Sequence, residues 1–503
     1  MPMYFAVLTE EVIRGLLENL TPDEAEGFQD VLRSALHEYS TAAQAIDSVA
    51  YRQPERASVR SDRIGATTVF MPSTSPLGHG VKVVTLASPE RNPSLPLLKP
   101  TGSLTLYAPD GNPLGILHAQ TLTAFRTALA SSSLLMKRTN VRTLTVFGAG
   151  LQAYWHIRLA LMLRGTTIRT VNIINRRFSE NAKQILKHFY SVPAEIKERE
   201  GWGEVQFSML TPGYGEYSRL QKEHIRAADI IYCCTPSTEP LFDGSILTSH
   251  EGRRKGRLIV AVGGYARDMR ELPTELLIQA TRPHQRGHFH FHKHAAEGGV
   301  ILVDSLTGAL KEAAEIIEAG LEPKQLVELG ELIMIRRLAQ EEEEASSQQS
   351  DETDSPSDSI ERPDMSAGGS AMSTVYGSND SGGSKRSLSR SPSRSRPGSG
   401  TSTPRPSSPG GLRLPSFRHH RRTSSQQSSK EDKAEKVAEE KEDNEEKGKM
   451  EKKQDDHLAR WLASGNVIYK SVGLGLMDLV VGLQIIELAR AKGVGILVED
   501  FSM

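Results

Sequence analysis

The chain has 503 residues, with 61 lysines and arginines against 62 aspartates and glutamates and a net charge of −1. That balance gives no global attraction to nucleic acid or to an acidic membrane surface, and no apolar run approaches the roughly 20 residues of a membrane span. The only cysteines, Cys233 and Cys234, are adjacent and cannot form an ordinary cross-link, which fits a reducing compartment. The opening residues Met1-Pro-Met-Tyr-Phe-Ala-Val-Leu8 lack the basic flank and apolar length of a secretory signal, so a soluble cytoplasmic protein is expected.

Residues 1 to about 50 read as two helices: Thr9 precedes Glu10 and Glu11, and Thr21-Pro22-Asp23-Glu24 combines a cap, a proline at the first helical position and an acidic first turn. Short apolar segments follow at 67–71, 81–86, 103–107 and 114–117, with Asp110-Gly111 as a hairpin signal, so an antiparallel β region is expected. A helix from Thr121 to about Lys137 leads out of it. The runs 229–236 and 258–264 are continuously apolar and end in turn residues, as buried parallel strands do, and ligands of such sheets lie at those ends. Residues 300–304 supply another strand and residues 305–318 a helix.

The centre of this organisation is Thr145-Val-Phe-Gly-Ala-Gly-Leu-Gln-Ala-Tyr154, read as strand, glycine turn and helix. Gly148 permits the tight turn, Gly150 lets backbone approach a pyrophosphate, and Ala153 is small enough for the helix to pack against its strand. The free N–H groups of the first helical turn then face an anion. About 20 residues on, the strand 170–174 ends in Asn175-Arg176-Arg177 rather than in the acid that NAD-type sites place there. Two arginines suit a 2′-phosphate, so NADP(H) is favoured over NAD(H).

Two stretches carry less. His288, His290, His292 and His294 alternate and could line one strand face, but no convergent Asp, Glu or Cys ligands accompany them, so an exposed loop is favoured and no metal is assigned. Residues 340–456 form acidic, Arg/Ser/Pro-rich and Lys/Glu-rich tracts in series, a composition too polar to offset chain entropy, and disorder is expected. Ser391-Pro392, Thr403-Pro404, Ser408-Pro409 and Ser424 suggest phosphorylation or regulatory partners, against the blander and favoured alternative of a tolerated insertion. Order returns at Trp461, and the apolar helix 479–491 implies that the chain comes back to complete an earlier domain.

With these blocks in place the chain resembles the ornithine cyclodeaminase/μ-crystallin family. The likeness rests on Gln53-Pro-Glu-Arg56, Gly80-Val-Lys-Val-Val84, Leu122-Thr-Ala-Phe-Arg-Thr-Ala128, Gly148-Ala-Gly-Leu-Gln-Ala153, Asn175-Arg176, Arg270-Glu-Leu272, Val303-Asp-Ser305, Glu328-Leu-Gly-Glu331 and Tyr469-Lys-Ser-Val-Gly473. It implies an α/β protein: a Rossmann domain (131–338), plus an α+β substrate and dimerisation domain built from both chain ends (1–130 and 461–503), with 340–456 inserted. A homodimer through the substrate domain is implied as well. Fungal proteins linked to proline utilisation belong to the same family.

By the same resemblance Arg56, Lys82 and Arg126 hold the substrate's α-carboxylate, a role that converging cations and a bidentate guanidinium suit. The nucleotide falls to Gly148, Gly150, Leu151, Gln152 and Ala153, to Asn175, Arg176 and Arg177, to Thr235, Pro236, Val262 and Gly263, and to Ser471. Family cyclodeaminases and related alanine dehydrogenases carry a basic aspartate directly after the strand that here ends Val262-Gly263-Gly264. Tyr265 stands at that position, and the nearest acid, Asp268, matches the ketimine-reductase-like μ-crystallins. An amino acid must lose protons before giving up hydride and so needs a base, whereas a protonated cyclic imine needs only hydride and an anchored carboxylate. The expectation is an NADPH-dependent cyclic imino acid reductase with Lys82, Arg126 and Asp268 at the reacting centre and Tyr265 beside the substrate. Ornithine cyclodeaminase, or a nucleotide-binding protein without turnover, are the alternatives.

Overall fold

Two β-sheets share the chain, one mixed and one wholly parallel. The computed structural model describes residues 4–42, 51–88, 94, 98–264, 267–282, 298–332, 459, 461–499 and 501. The expected disordered insertion (340–456), the alternating histidines and Tyr265 lie outside these residues.

Along the chain come β1 (Phe5–Leu8), α1 (Glu10–Glu18), α2 (Pro22–Ala42), β2 (Ala57–Ser61), β3 (Ala66–Ser75), β4 (Gly78–Ala87), β5 (Thr101–Tyr107), β6 (Pro113–His118) and α3 (Ala119–Leu135). The helix starts are those the caps dictate. Thr9 accepts from the Val12 N–H, while Thr21 and Glu24 bond reciprocally to each other's backbone N–H. Phe5–Leu8, which carries no sequence signal beyond its few apolar residues, pairs parallel with β6.

The parallel sheet follows: β7 (Thr143–Phe147), α4 (Leu151–Arg164), β8 (Thr170–Ile174), α5 (Glu180–Ser191), α6 (Ala194–Glu200), β9 (Gln206–Leu210), α7 (Tyr217–Ala227), β10 (Ile230–Cys233), α8 (Ser245–Thr248), β11 (Leu258–Ala261), α9 (Thr274–Ala280) and β12 (Val300–Val303). Next are α10 (Leu306–Glu312), α11 (Ala314–Glu318) and β13 (Val327–Glu328). The expected single helix 305–318 is thus two, because Ala313 takes an extended ψ of 102°. After the undescribed segment come β14 (Val467–Lys470), a helix α12 (Gly475–Lys492) and β15 (Ile496–Val498).

The parallel sheet runs β13-β12-β14-β11-β10-β7-β8-β9. Strand order reverses at β7, the switch point at which doubly wound sheets bind ligands, and the glycine turn leaves the chain there. One expectation is corrected. Residues 461–503 do not all return to the substrate domain: β14 lies between β11 and β12 and bonds to both. Only α12 and β15 join the mixed sheet, whose order is β15-β1-β6-β5-β4-β3-β2. There α12, apolar around most of its circumference and buried through Ala489, packs with α3 against β3, β4 and β5.

Candidate active site

A cross-strand row on the covered face of the mixed sheet reads Met71, Lys82, Leu104, Leu117, and all four are buried. Lys82 is the one charge in that row, and a buried ammonium persists only if paired. Its partner is Asp478 in the first turn of α12, fully buried, with Oδ1 and Oδ2 at 3.0 and 3.1 Å from Lys82 Nζ. Oδ1 also accepts from Arg126 Nε on α3 at 3.1 Å, while Arg126 Nη1 lies 3.2 Å from the Met477 sulfur. The family motifs predicted Lys82 and Arg126, and the fold brings them together. Asp478 was missed. The available signal was an acid between Met477 and Leu479 in an apolar helix, which demands a cationic partner.

Arg56 approaches the same place from the loop before β2. Its Nη2 donates to the Gly473 carbonyl at 3.2 Å and pairs with Glu312 of α10 at 3.0 Å. Gly473, at φ +81°, is where the two arginines converge, since a Cβ added there would stand 2.9 Å from Arg126 Nη2. Gln53 fixes this corner by donating to the Pro72 carbonyl and accepting the Leu476 N–H, supplying the cap that Leu474 cannot. Three cations facing two carboxylates leave one positive charge in excess, which suits a single bound carboxylate. Burial, with Arg126 and Arg56 adding to it, pulls the Lys82 ammonium down to about 8, and Asp478 opposes that shift.

At the end of β7, Gly148 takes φ +103° and an added Cβ would meet the Cys234 carbonyl at 2.7 Å, so the turn needs glycine. Gly150 caps α4 without a side chain, and a Cβ there would meet nothing within 4 Å. That open backbone beside the free N–H groups of Leu151 and its neighbours is what a pyrophosphate requires. Gln152, in the first turn, has a buried Oε1 with no partner, and Ala153 is fully buried against the sheet. These residues fit a dinucleotide. Asn175 bonds to the Arg177 carbonyl, and Arg176 and Arg177 are exposed at the end of β8, neither of them in an ion pair among the described residues.

The ends of β10 and β11 are tied by a residue the sequence did not assign. Glu271 accepts from the Thr235 N–H (2.7 Å) and hydroxyl (3.0 Å) and from the Gly263 N–H (2.7 Å). Its own N–H donates to Glu315, which also accepts from Lys470. Burial, the largest influence, raises the Glu271 carboxyl above the usual range despite Lys470 and those donors. Val262 is half-buried, Pro236 exposed, and the buried Ser471 donates to Asp304 at 2.8 Å. Asp304 also accepts the Gly473 N–H at 2.7 Å and so shapes the loop under the arginines. Asp268 is exposed on a turn and joins none of these bonds. Among the described residues no group of three or more His, Cys, Asp or Glu could hold a metal.

The comparisons agree with this architecture. The model of the ornithine cyclodeaminase/mu-crystallin family matches residues 27–199. An uncharacterized protein of Saccharomyces cerevisiae is 29% identical over 289 residues, 52% of this chain and 70% of that one. The ketimine reductase mu-crystallin of Mus musculus is 28% identical over 255 residues, 50% of this chain and 64% of its own length. The Δ1-pyrroline-2-carboxylate reductase of Colwellia psychrerythraea is 28% identical, over 41% of this chain and 52% of its own length, so the match spans only about half of that relative. In fold, the Thermococcus litoralis Δ1-pyrroline-2-carboxylate reductase, solved with NADH and L-proline, aligns over 98% of this chain and 99% of its own with a TM-score of 0.54 at 17% identity.

Proposed function

From a chain that belongs to the ornithine cyclodeaminase/mu-crystallin family, we propose an NADPH-dependent reductase that converts cyclic imino acids of the Δ1-pyrroline- or Δ1-piperideine-2-carboxylate kind to proline or pipecolate. The observation that carries the reading is the buried Lys82–Arg126–Asp478 cluster with the Arg56–Glu312 pair at its edge, whose one excess positive charge suits a monocarboxylate. Lys82, Arg126 and Arg56 fix that carboxylate and hold the ring with its C=N carbon toward the strand ends. A reduced nicotinamide, when bound, supplies hydride. The protonated C=N accepts it at carbon, the π pair moves to nitrogen, and the product is a secondary amine with no further base required. Positioning supplies most of the rate. Asp268, exposed on its turn, takes no part in this scheme.

NADPH in preference to NADH rests on Arg176 and Arg177. A homodimer through the uncovered face of the mixed sheet is proposed because Val59, Phe70 and Val81 stand exposed there; a solved relative is an archaeal alanine dehydrogenase dimer with bound NAD. A cytoplasmic location is the matching proposal, and no helix of the described residues is long and apolar enough to cross a membrane.

The test is NADPH oxidation with pyrroline- and piperideine-2-carboxylate, run beside NAD-dependent ammonia release from ornithine. Imine-dependent oxidation that falls at least about 100-fold in Arg126→Ala, with nucleotide affinity intact, is expected. Ammonia from ornithine without imine reduction would establish the cyclodeaminase instead, and bound nucleotide with neither activity would establish a binding protein.

A further inference from the structure

We propose that Asp478 is a positioning residue of the site: it keeps the Lys82 ammonium charged and turns the terminal edge of Arg126 toward the substrate carboxylate. The inference rests on the carboxylate reading of the cluster, and not on which reaction follows.

Asp478 has no exposed surface, and every hydrogen bond it makes with a side chain goes to these two cations. Because it takes Nε of Arg126, the guanidinium presents its Nη edge instead, and that edge lies over Gly473, where the absence of a side chain leaves room. Arg56 reaches the carbonyl of the same glycine. A carboxylate seated there meets two guanidinium groups and the Lys82 ammonium without displacing Asp478.

The charges around Lys82 come from four elements. Asp478 stands on α12, Arg126 on α3 and Arg56 on the loop before β2, while Glu312 on α10 pairs with Arg56; the β-sheet neighbours Met71 and Leu104 add none. Burial and both arginines favour the neutral amine, and Asp478 is the one group that favours the ammonium. Without it, a buried amine beside two guanidinium groups releases its proton at a lower pH, and the carboxylate loses one of its three anchors.

The probe is pyrrole-2-carboxylate, a flat carboxylate with no basic nitrogen, whose binding to the full chain is followed by calorimetry between pH 6 and 9.5. For the wild type, affinity is level at low pH and weakens about tenfold per unit above the Lys82 value of about 8. In Asp478→Asn the weakening begins at least about one unit lower, so affinity at pH 7.5 drops at least about threefold while that at pH 6 changes far less. Asp478→Glu, which keeps the charge but shifts it by one methylene, retains the wild-type limb and loses affinity evenly across pH. It also serves should the asparagine variant fail to fold. An Asp478→Asn profile parallel to the wild type, or a limb displaced equally by Asp478→Glu, overturns the inference alone. A wild type that binds no probe at any pH overturns the carboxylate reading with it.

Discussion

His156 offers a measurement in which the energy can be worked out beforehand. It lies on α4 one turn beyond the glycine loop, almost fully buried, with Nδ1 donating to the Gln152 carbonyl at 2.7 Å and Nε2 3.0 Å from Ser131 on α3. The Tyr232 ring and the Cys234 sulfur close the remaining sides. Burial pushes its pKa from 6.5 down to about 4, against a smaller opposing effect of the Gln152 carbonyl. Between those two values the unfolded chain holds the proton and the folded one does not. Stability is therefore complete above pH 6.5 and is lost as pH falls toward 4, by up to about 3 kcal/mol. The perturbation is His156→Gln, which fills the space but does not titrate. Urea unfolding at pH 7 and pH 5 should show the wild type losing about 2 kcal/mol more than the variant over that interval. Parallel losses in the two proteins would refute the argument, because they would place the acid sensitivity elsewhere.

Replacing both Arg176 and Arg177 by alanine should raise the KM for NADPH roughly 10- to 100-fold, the worth of one charge-assisted bond to a phosphate, and leave that for NADH nearly unchanged; equal effects on both would remove the basis for an NADP preference. Two glycine substitutions should separate fold from function. In Gly263→Ala the new Cβ would stand 2.0 Å from the Thr235 carbonyl oxygen and 2.4 Å from its nitrogen, backbone that cannot yield as a flexible side chain would, so thermal unfolding should come many degrees earlier. Gly150→Ala meets nothing within 4 Å and should melt like the wild type while binding nucleotide more weakly, read by fluorescence titration.

What the sequence disclosed was local. The capped helices, the hairpin at Asp110-Gly111 and the strand–turn–helix around Gly148 depend on neighbours a few residues away, and each stands where its signal put it. The cations were legible only through the family motifs, because alternation along β4 marks Lys82 as inward-facing without saying what it meets. Its carboxylate partner is 396 positions away. Glu271 stayed hidden for the same reason: its three donors come from the ends of two other strands. The family likeness had drawn attention to Arg270-Glu-Leu272 without giving the glutamate a task. Strand order leaves no mark on a single chain, and so residues 467–470 are expected with the substrate domain although they pair with β11 and β12.

The position of β14 changes what the segment beyond residue 461 contributes. β11 and β12 bond to it and not to each other, so without it the parallel sheet is divided beside the strand ends that Glu271 ties. The same segment brings Lys470, the Ser471–Gly473 loop and Asp478, while Arg138 grips its beginning through the carbonyls of Leu462 and Gly465. The candidate site is therefore incomplete until residues 333–460 have been spanned. By length alone, a connection of that size costs only about 2 kcal/mol more to close than one of about 15 residues, because closure entropy grows with the logarithm of length. Burying Val467, Ile468 and Tyr469, each at most 1% exposed, contributes roughly 1.5–3 kcal/mol per side chain. The strand's own burial outweighs the added length, and a connection of this size is compatible with an intact sheet and an assembled candidate site.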